Sequence, residues 1–356
     1  MTSATHEPAS APARRAGRQW PGRLGAAVLC VAAVAVAAWS ALAVFYQAQG
    51  VGRGLGWALV ALGSGGVIAL AVSGRRLRAL GMLALGVVLV GLWWATIRPS
   101  NERDWAPDVA RGVTAEFAGR EVTVHNIRDF DWRTEDEGEP RWETRRYDLD
   151  DLASVDLFSS TWGNPAIAHT LISFGFRDGR HLVFSAEIRR EAGESFSEIG
   201  GFFKEFELVL IAADERDIIR LRTNLRREDV SLFPLNLSPQ VREALFLSYL
   251  ELGNELAAQP RWYQTVTTNC TTVIFKLVRA IEPGLPLDWR ILISGYLPDY
   301  LYERGIIAGG GTLDEVKARA RIGERARAEE GAEAGAAEGP ADGAMDFSAR
   351  IRAPAR

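Results

Sequence analysis

Between Leu24 and Ile97 the chain carries no Asp, Glu or Lys, and its only charges there are Arg53, Arg75, Arg76 and Arg78. A helix packed in a soluble domain needs a polar face toward water, and this stretch offers none. Three segments, roughly 24–46, 54–73 and 79–97, each approach the ~20 apolar residues that a helix needs to cross a bilayer. Residues 24–98 are therefore expected to form three transmembrane helices.

The arginines set the direction. Arg14, Arg15, Arg18 and Arg23 precede the first span, Arg75, Arg76 and Arg78 separate the second from the third, and Arg53 alone sits in the remaining loop. By the positive-inside tendency, residues 1–23 and the 74–78 loop are cytoplasmic. Three crossings then leave everything after Arg98 outside, as the periplasmic or extracytoplasmic domain of a multi-pass inner (cell) membrane protein. Ala41-Leu42-Ala43 also resembles a signal-peptide cleavage site; cleavage there leaves two spans and the same side assignment. Cys30 follows the bulky Leu29 and does not suit lipid attachment.

Charge divides the chain at the same place. Residues 1–100 hold nine Arg and one Glu, which leaves 32 basic and 44 acidic residues beyond. An acidic outer part argues against nucleic acid as a partner. The sequence has no CxxC pair, HxxxH pair or P-loop, so no metal or cofactor is expected, and two cysteines in different compartments cannot pair.

Beyond a linker at 99–107, Glu121 to Ile127 alternates as a strand does, with His125 on the polar side. The charged, Trp-rich stretch 128–150 shows no period and is expected to be a long loop. His169–Phe176 and His181–Ile188 flank Arg177-Asp178-Gly179-Arg180, whose Asp-Gly pair suits a two-residue hairpin turn. Residues 207–212 and 217–222 suggest a second strand pair, giving an antiparallel sheet. Ser238-Pro239 opens a helix to about Ala258, and another follows Cys270. Segment 283–307 is expected to be loop with one short helix. The outer domain is thus α+β over 99–307, with 308–356 a polar tail, largely disordered beyond a helical start.

Cys270 precedes Val273, Ile274, Leu277, Val278 and Ile281 at helical spacing, which places it on their inward face. Thr268 and Asn269 suit an N-cap and put the sulfur in the first turn, where helix dipole and unpaired N–H groups favour thiolate. Two readings stand: a small packed side chain or a nucleophile, which then needs a histidine as base. Of the four histidines, His6 lies across the membrane, His125 is solvated and His181 borders a turn. His169, at a strand start, is the best candidate.

The succession Asn126-Ile127-Arg128-Asp129-Phe130, Ala168-His169-Thr170 with Ser173-Phe174, Glu187-Ile188-Arg189-Arg190-Glu191, Asp214-Glu215-Arg216-Asp217, Leu221-Arg222-Thr223-Asn224 and Thr268-Asn269-Cys270-Thr271-Thr272 resembles a family earlier designated DUF4105. This is the N-terminal periplasmic domain of Lnb-type lipoprotein N-acyltransferases. The resemblance spans about residues 104–290. It implies a permuted NlpC/P60-like (papain-like) fold, the histidine strand preceding the cysteine helix. It also implies Cys270 as nucleophile and His169 as general base.

The implied chemistry is acyl transfer through a thioester, from a phospholipid donor to an amine such as a lipoprotein N-terminus. Helix-start N–H groups, with Asn269, would hold the oxyanion, and Ser173 shares the strand face of His169. For the orienting acid the tempting residue is Glu187. A two-residue turn pairs His169 with Ile188, so Glu187, like Ser185, reaches the histidine only if a bulge shifts the register. Arg189, Arg190, Arg220 and Arg222 are candidates for a phosphate headgroup. A cell-wall peptidase of the NlpC/P60 type and a non-catalytic tethered binding module are the alternatives. In the acyltransferases the membrane segments follow the thiol domain, whereas here they precede it.

Overall fold

The computed structural model describes residues 20–282, 284–286, 288–328 and 346–354, and the chain divides into two compact units after Arg98. The cytoplasmic stretch expected at 1–23 lies outside the described residues up to position 19.

The first unit holds α1 (Trp20–Gln47), α2 (Gly50–Val72) and α3 (Arg76–Thr96), all long and apolar enough to cross a membrane. Small side chains form the seam, with Ala33, Val67, Ala71 and Ala79 buried together. Close helix approach in hydrocarbon favours such residues. The large apolar ones point outward, with Leu62 74% and Leu77 86% exposed. That distribution is the reverse of a water-soluble bundle and calls for a lipid surround.

The second unit is α+β. Ten strands are described: β1 (Thr114–Ala118), β2 (Glu121–Arg128), β3 (Asp131–Trp132), β4 (Gly138–Glu139), β5 (Trp142–Asp148), β6 (Leu152–Thr161), β7 (Ala168–Phe176), β8 (His181–Arg189), β9 (Glu207–Ala213) and β10 (Asp229–Pro234). The main sheet runs β1-β2-β9-β8-β7-β6-β10, with β5 also on β2, and β3 pairs with β4 apart from it. It is mixed, not purely antiparallel, because β2 meets β9 in parallel.

One face buries Leu157, Phe174, Phe184 and Leu210 against α5 (Pro239–Ala258) and α6 (Cys270–Ile281). The other buries Phe158, Leu171, Val183 and Ile211 against α4 (Glu215–Arg220) and the C-terminal segments. Each such side chain contributes about 1.5–3 kcal/mol when fully buried.

Three further expectations fail. The stretch 128–150 is no long loop, since it contains β3, β4 and β5. Residues 217–222 are not a strand: Asp214 accepts the Arg216 N–H and caps α4, which passes into a π-turn at Leu221–Leu225. The acids of Asp214-Glu215-Arg216-Asp217 are a helix-start signal, outweighing the apolar alternation that follows. Within the segment expected as a disordered tail, helices Leu313–Ala320, Gly323–Arg327 and Phe347–Arg352 form and bury Ala320, Ala326, Phe347 and Ile351. Residues 329–345 and 355–356 of that tail lie outside the described residues.

Candidate active site

Asn269 fixes the start of α6 by reciprocal capping. Its Oδ1 accepts the Thr272 N–H at 2.8 Å, and its own N–H donates to Thr272 Oγ1 at 2.8 Å. Cys270 is thereby the first helical residue, 8% exposed. Its Sγ lies 3.9 Å from the Ala168 carbonyl, and Thr271 Oγ1 meets Thr170 Oγ1 at 3.1 Å. The helix start is thus pinned to β7 on either side of His169.

The hairpin decides what faces that histidine. Phe176 N–H donates to Arg180 O, so the loop holds three residues, Arg177 to Gly179, and Gly179 takes φ +88°. This is the glycine-bulge hairpin, one residue longer than the two-residue turn. The register becomes Ser173 opposite Val183 and Gly175 opposite His181. Continued along the strands, it sets Glu187 opposite His169. The bulge on which Glu187 depended is present, in the turn.

His169 Nε2 lies 2.7 Å from Ser185 Oγ and 3.0 Å from Glu187 Oε1, and Ser185 donates to the same Glu187 oxygen at 2.7 Å. Burial works against a charged imidazole, but the Glu187 carboxylate beside it raises His169 to about 9. Burial likewise favours the neutral carboxyl of Glu187, yet His169 and Arg222 hold it well below the carboxylate range. Burial pushes the Cys270 thiol up, but the His169 charge overcomes this and brings it to about 6. Between those two values the array holds a thiolate beside an imidazolium.

The other candidates are committed elsewhere. One N–H of the Asn269 amide donates to Thr265 O at 2.7 Å. Ser173 is fully buried and donates to Glu215 at 2.6 Å. Of the four arginines, Arg190 and Arg222 line the cavity beside His169, and Arg189 and Arg220 do not. Arg189 is buried, donates to Val109 O, Ala110 O and Asn101 Oδ1, and lies over Trp105. Arg190 pairs with Asp108 and Arg220 bonds Trp132 O. Arg222 spans Glu187 at 3.3 Å and Glu228 at 3.2 Å.

Sequence reading missed Glu228, to which Ser160 also donates. It sits in Arg226-Arg227-Glu228-Asp229, which reads as an ordinary surface charge run. Beside the histidine lies a cavity of about 370 Å³ whose lining includes His169, Glu187, Arg222, Arg226, Tyr263 and Trp162.

Comparison with curated proteins and with solved structures returns no match. A family model described as the Lnb N-terminal periplasmic domain matches residues 138–295, beginning later than the resemblance read from the motifs. The matched span contains Cys270, His169 and Glu187. Over residues 138–295 the outer unit is therefore similar to the Lnb N-terminal periplasmic domain.

Proposed function

We propose that this protein is a thiol acyltransferase of the inner membrane, with Cys270 as nucleophile, His169 as its proton partner and Glu187 as the group that orients the histidine. The observation that carries the reading is the Cys270–His169–Glu187 array, in which a buried thiol is drawn down to about 6. A thiol with no catalytic use is instead raised by burial.

In the first step the thiolate attacks an ester carbonyl, and Nε2 stays engaged with Ser185 and Glu187 while Nδ1 serves the reacting groups. The Thr272 N–H is taken by the Asn269 cap, so the N–H groups of Cys270 and Thr271, which have no acceptor within the helix, receive the oxyanion. Collapse breaks the ester C–O bond, and His169 passes its proton to the departing alcohol. The acyl group remains on Cys270 as a thioester. An amine then attacks, gives its proton to His169, and restores the thiolate. A phospholipid as donor and a lipoprotein amine as acceptor suit a domain tethered by membrane helices.

Peptide cleavage by the same thiol is the second reading, favoured by the charged groups in the cavity wall, Asp108, Arg190, Arg226 and Glu228. Intact mass after incubation with phospholipid in detergent separates the two. A fatty-acyl increment that hydroxylamine removes, present on wild type and absent from Cys270→Ala, is expected. No increment, with Cys270 unreactive toward thiol probes, would overturn the nucleophile itself.

A further inference from the structure

The outer unit segregates its exposed apolar side chains. Among the described residues it exposes eleven large ones, and all but Phe117 fall on four segments, 162–167, 192–203, 263–269 and 288–296. Leu292 is 58% exposed, Phe196 and Trp289 57% each. A random scatter of surface apolar residues needs no explanation, but a contiguous patch marks a binding face.

The four segments touch one another around the start of α6. Gly295 N–H donates to Ala166 O at 3.0 Å, and Ala168 N–H to Ser294 Oγ at 2.8 Å. Thr265 Oγ1 donates to Glu198 O at 2.9 Å. Trp162 and Phe196 line the cavity that holds His169 and Glu187. The segment 263–269 leads directly into Cys270. The apolar groups therefore ring the thiol and its histidine.

We propose that this rim inserts into the interfacial layer of a phospholipid bilayer. Half of its exposed large apolar side chains are aromatic, the kind that settle at the headgroup level. Its only charges are Glu194, Glu198, Asp288 and Arg290, and the last two pair with each other at 2.9 Å. Adhesion thus comes from apolar area and not from attraction to anionic lipid. The chain itself argues for a lipid occupant over a protein one. The third apolar helix ends at Thr96 and the outer unit begins at Pro99, and the three Cα steps between them reach at most about 11 Å. A tether that short keeps the attachment point of the domain close to the bilayer.

The test uses the full chain in phospholipid nanodiscs, in a Cys30→Ser, Cys270→Ala background. An environment-sensitive fluorophore is placed on Phe196→Cys, on Leu292→Cys, and on Asp178→Cys in the hairpin turn as a control. Val266→Cys and Trp289→Cys are a second pair of sites should either rim label disturb the circular dichroism spectrum. Blue-shifted emission at 196 and 292, with quenching by brominated acyl chains severalfold above that at 178, is expected and persists in high salt. Equal quenching at all three sites overturns the proposal. A blue shift without quenching overturns it too, because the cover is then protein. Insertion is read without any substrate, so a failure of acyl transfer and a failure of insertion are told apart.

Discussion

Two buried polar networks hang from the same face of β7, four residues apart, and they are built from the same parts. At His169 the parts are Ser185, Glu187, Arg222 and Glu228. At Ser173 they are Glu215, Arg352 and Asp156. At Ser173 two carboxylates share one guanidinium, which leaves one negative charge in excess, whereas at His169 Arg226 also reaches Glu228, at 4.0 Å, beside Arg222. The second network is tight: Arg352 reaches both Glu215 oxygens at 2.6 and 2.7 Å and Asp156 at 2.7 Å. Its excess charge is relieved within the acids, for burial raises Asp156 above its ordinary value despite Arg352. In the first network the Glu187 carboxylate lies against His169 and keeps it protonated, and that imidazolium is what draws the thiol down. A buried acid and arginine do not make a reactive site; a histidine set between the acid and a thiol does.

The largest effect expected from breaking this contrast comes at the histidine. His169→Ala removes both proton transfer and the charge that holds the thiolate, so acyl-enzyme formation falls about a thousandfold. Alkylation of Cys270 against pH then shifts its midpoint upward from about 6 toward the ordinary thiol range. An unshifted midpoint would separate His169 from the thiol.

Arg352→Ala comes next. It strands Asp156 and Glu215 in the interior, and breaking a buried pair costs about 3 kcal/mol, read as a drop in denaturation midpoint at neutral pH. Both acids then have folded-state pKa values above their unfolded ones. The deficit is therefore greatest above those values and recovers as pH falls and the acids take up protons. The alkylation midpoint of Cys270 in the folded protein stays near 6. Movement there would mean that the two networks are one.

Glu187→Gln probes the charge balance alone. Wild-type acylation is expected to rise through about 6, as the thiolate forms, and to fall through about 9, as His169 loses the proton that the leaving alcohol needs. Removing the Glu187 charge lowers the His169 limb and leaves the Cys270 limb nearly in place, so the bell narrows from its alkaline side. The rate at its top falls about tenfold to a hundredfold. A bell of unchanged width would show that Glu187 only positions the ring.

The networks also explain what the sequence told and what it withheld. Cys270 was legible because capping residues and an apolar stripe are local signals, and His169 followed from the poverty of histidines. Glu187 hung on one residue of turn length: Asp178-Gly179 serves a two-residue and a three-residue turn alike, and the choice moves every partner along β8 by one. Arg352 was lost for a different reason. Its partners stand 196 and 137 positions earlier, and a Gly, Ala, Glu and Arg-rich stretch gives no periodic sign that Phe347 and Ile351 will find a core. The three membrane helices needed no such long-range knowledge, since absence of charge over a span is itself the signal.

The serines give the smallest and sharpest comparison. Ser185 donates to Glu187 at 2.7 Å and accepts from His169 at 2.7 Å, but Glu187 also reaches the ring directly at 3.0 Å. Ser185→Ala therefore removes one of two links, and acylation should fall less than about tenfold, with both pH limbs nearly in place. Ser173→Ala leaves Glu215 its two contacts to Arg352 and should cost about 1 kcal/mol of stability, the usual net worth of a hydrogen bond, with no change in rate. The two variants remove the same hydroxyl from the same face of one sheet. If Ser173→Ala slowed acylation as much as Ser185→Ala, the second network would be acting on the histidine through β7. If Ser185→Ala with Glu187→Gln were no slower than Glu187→Gln alone, the serine would act wholly through the carboxylate, as neighbours in one network do.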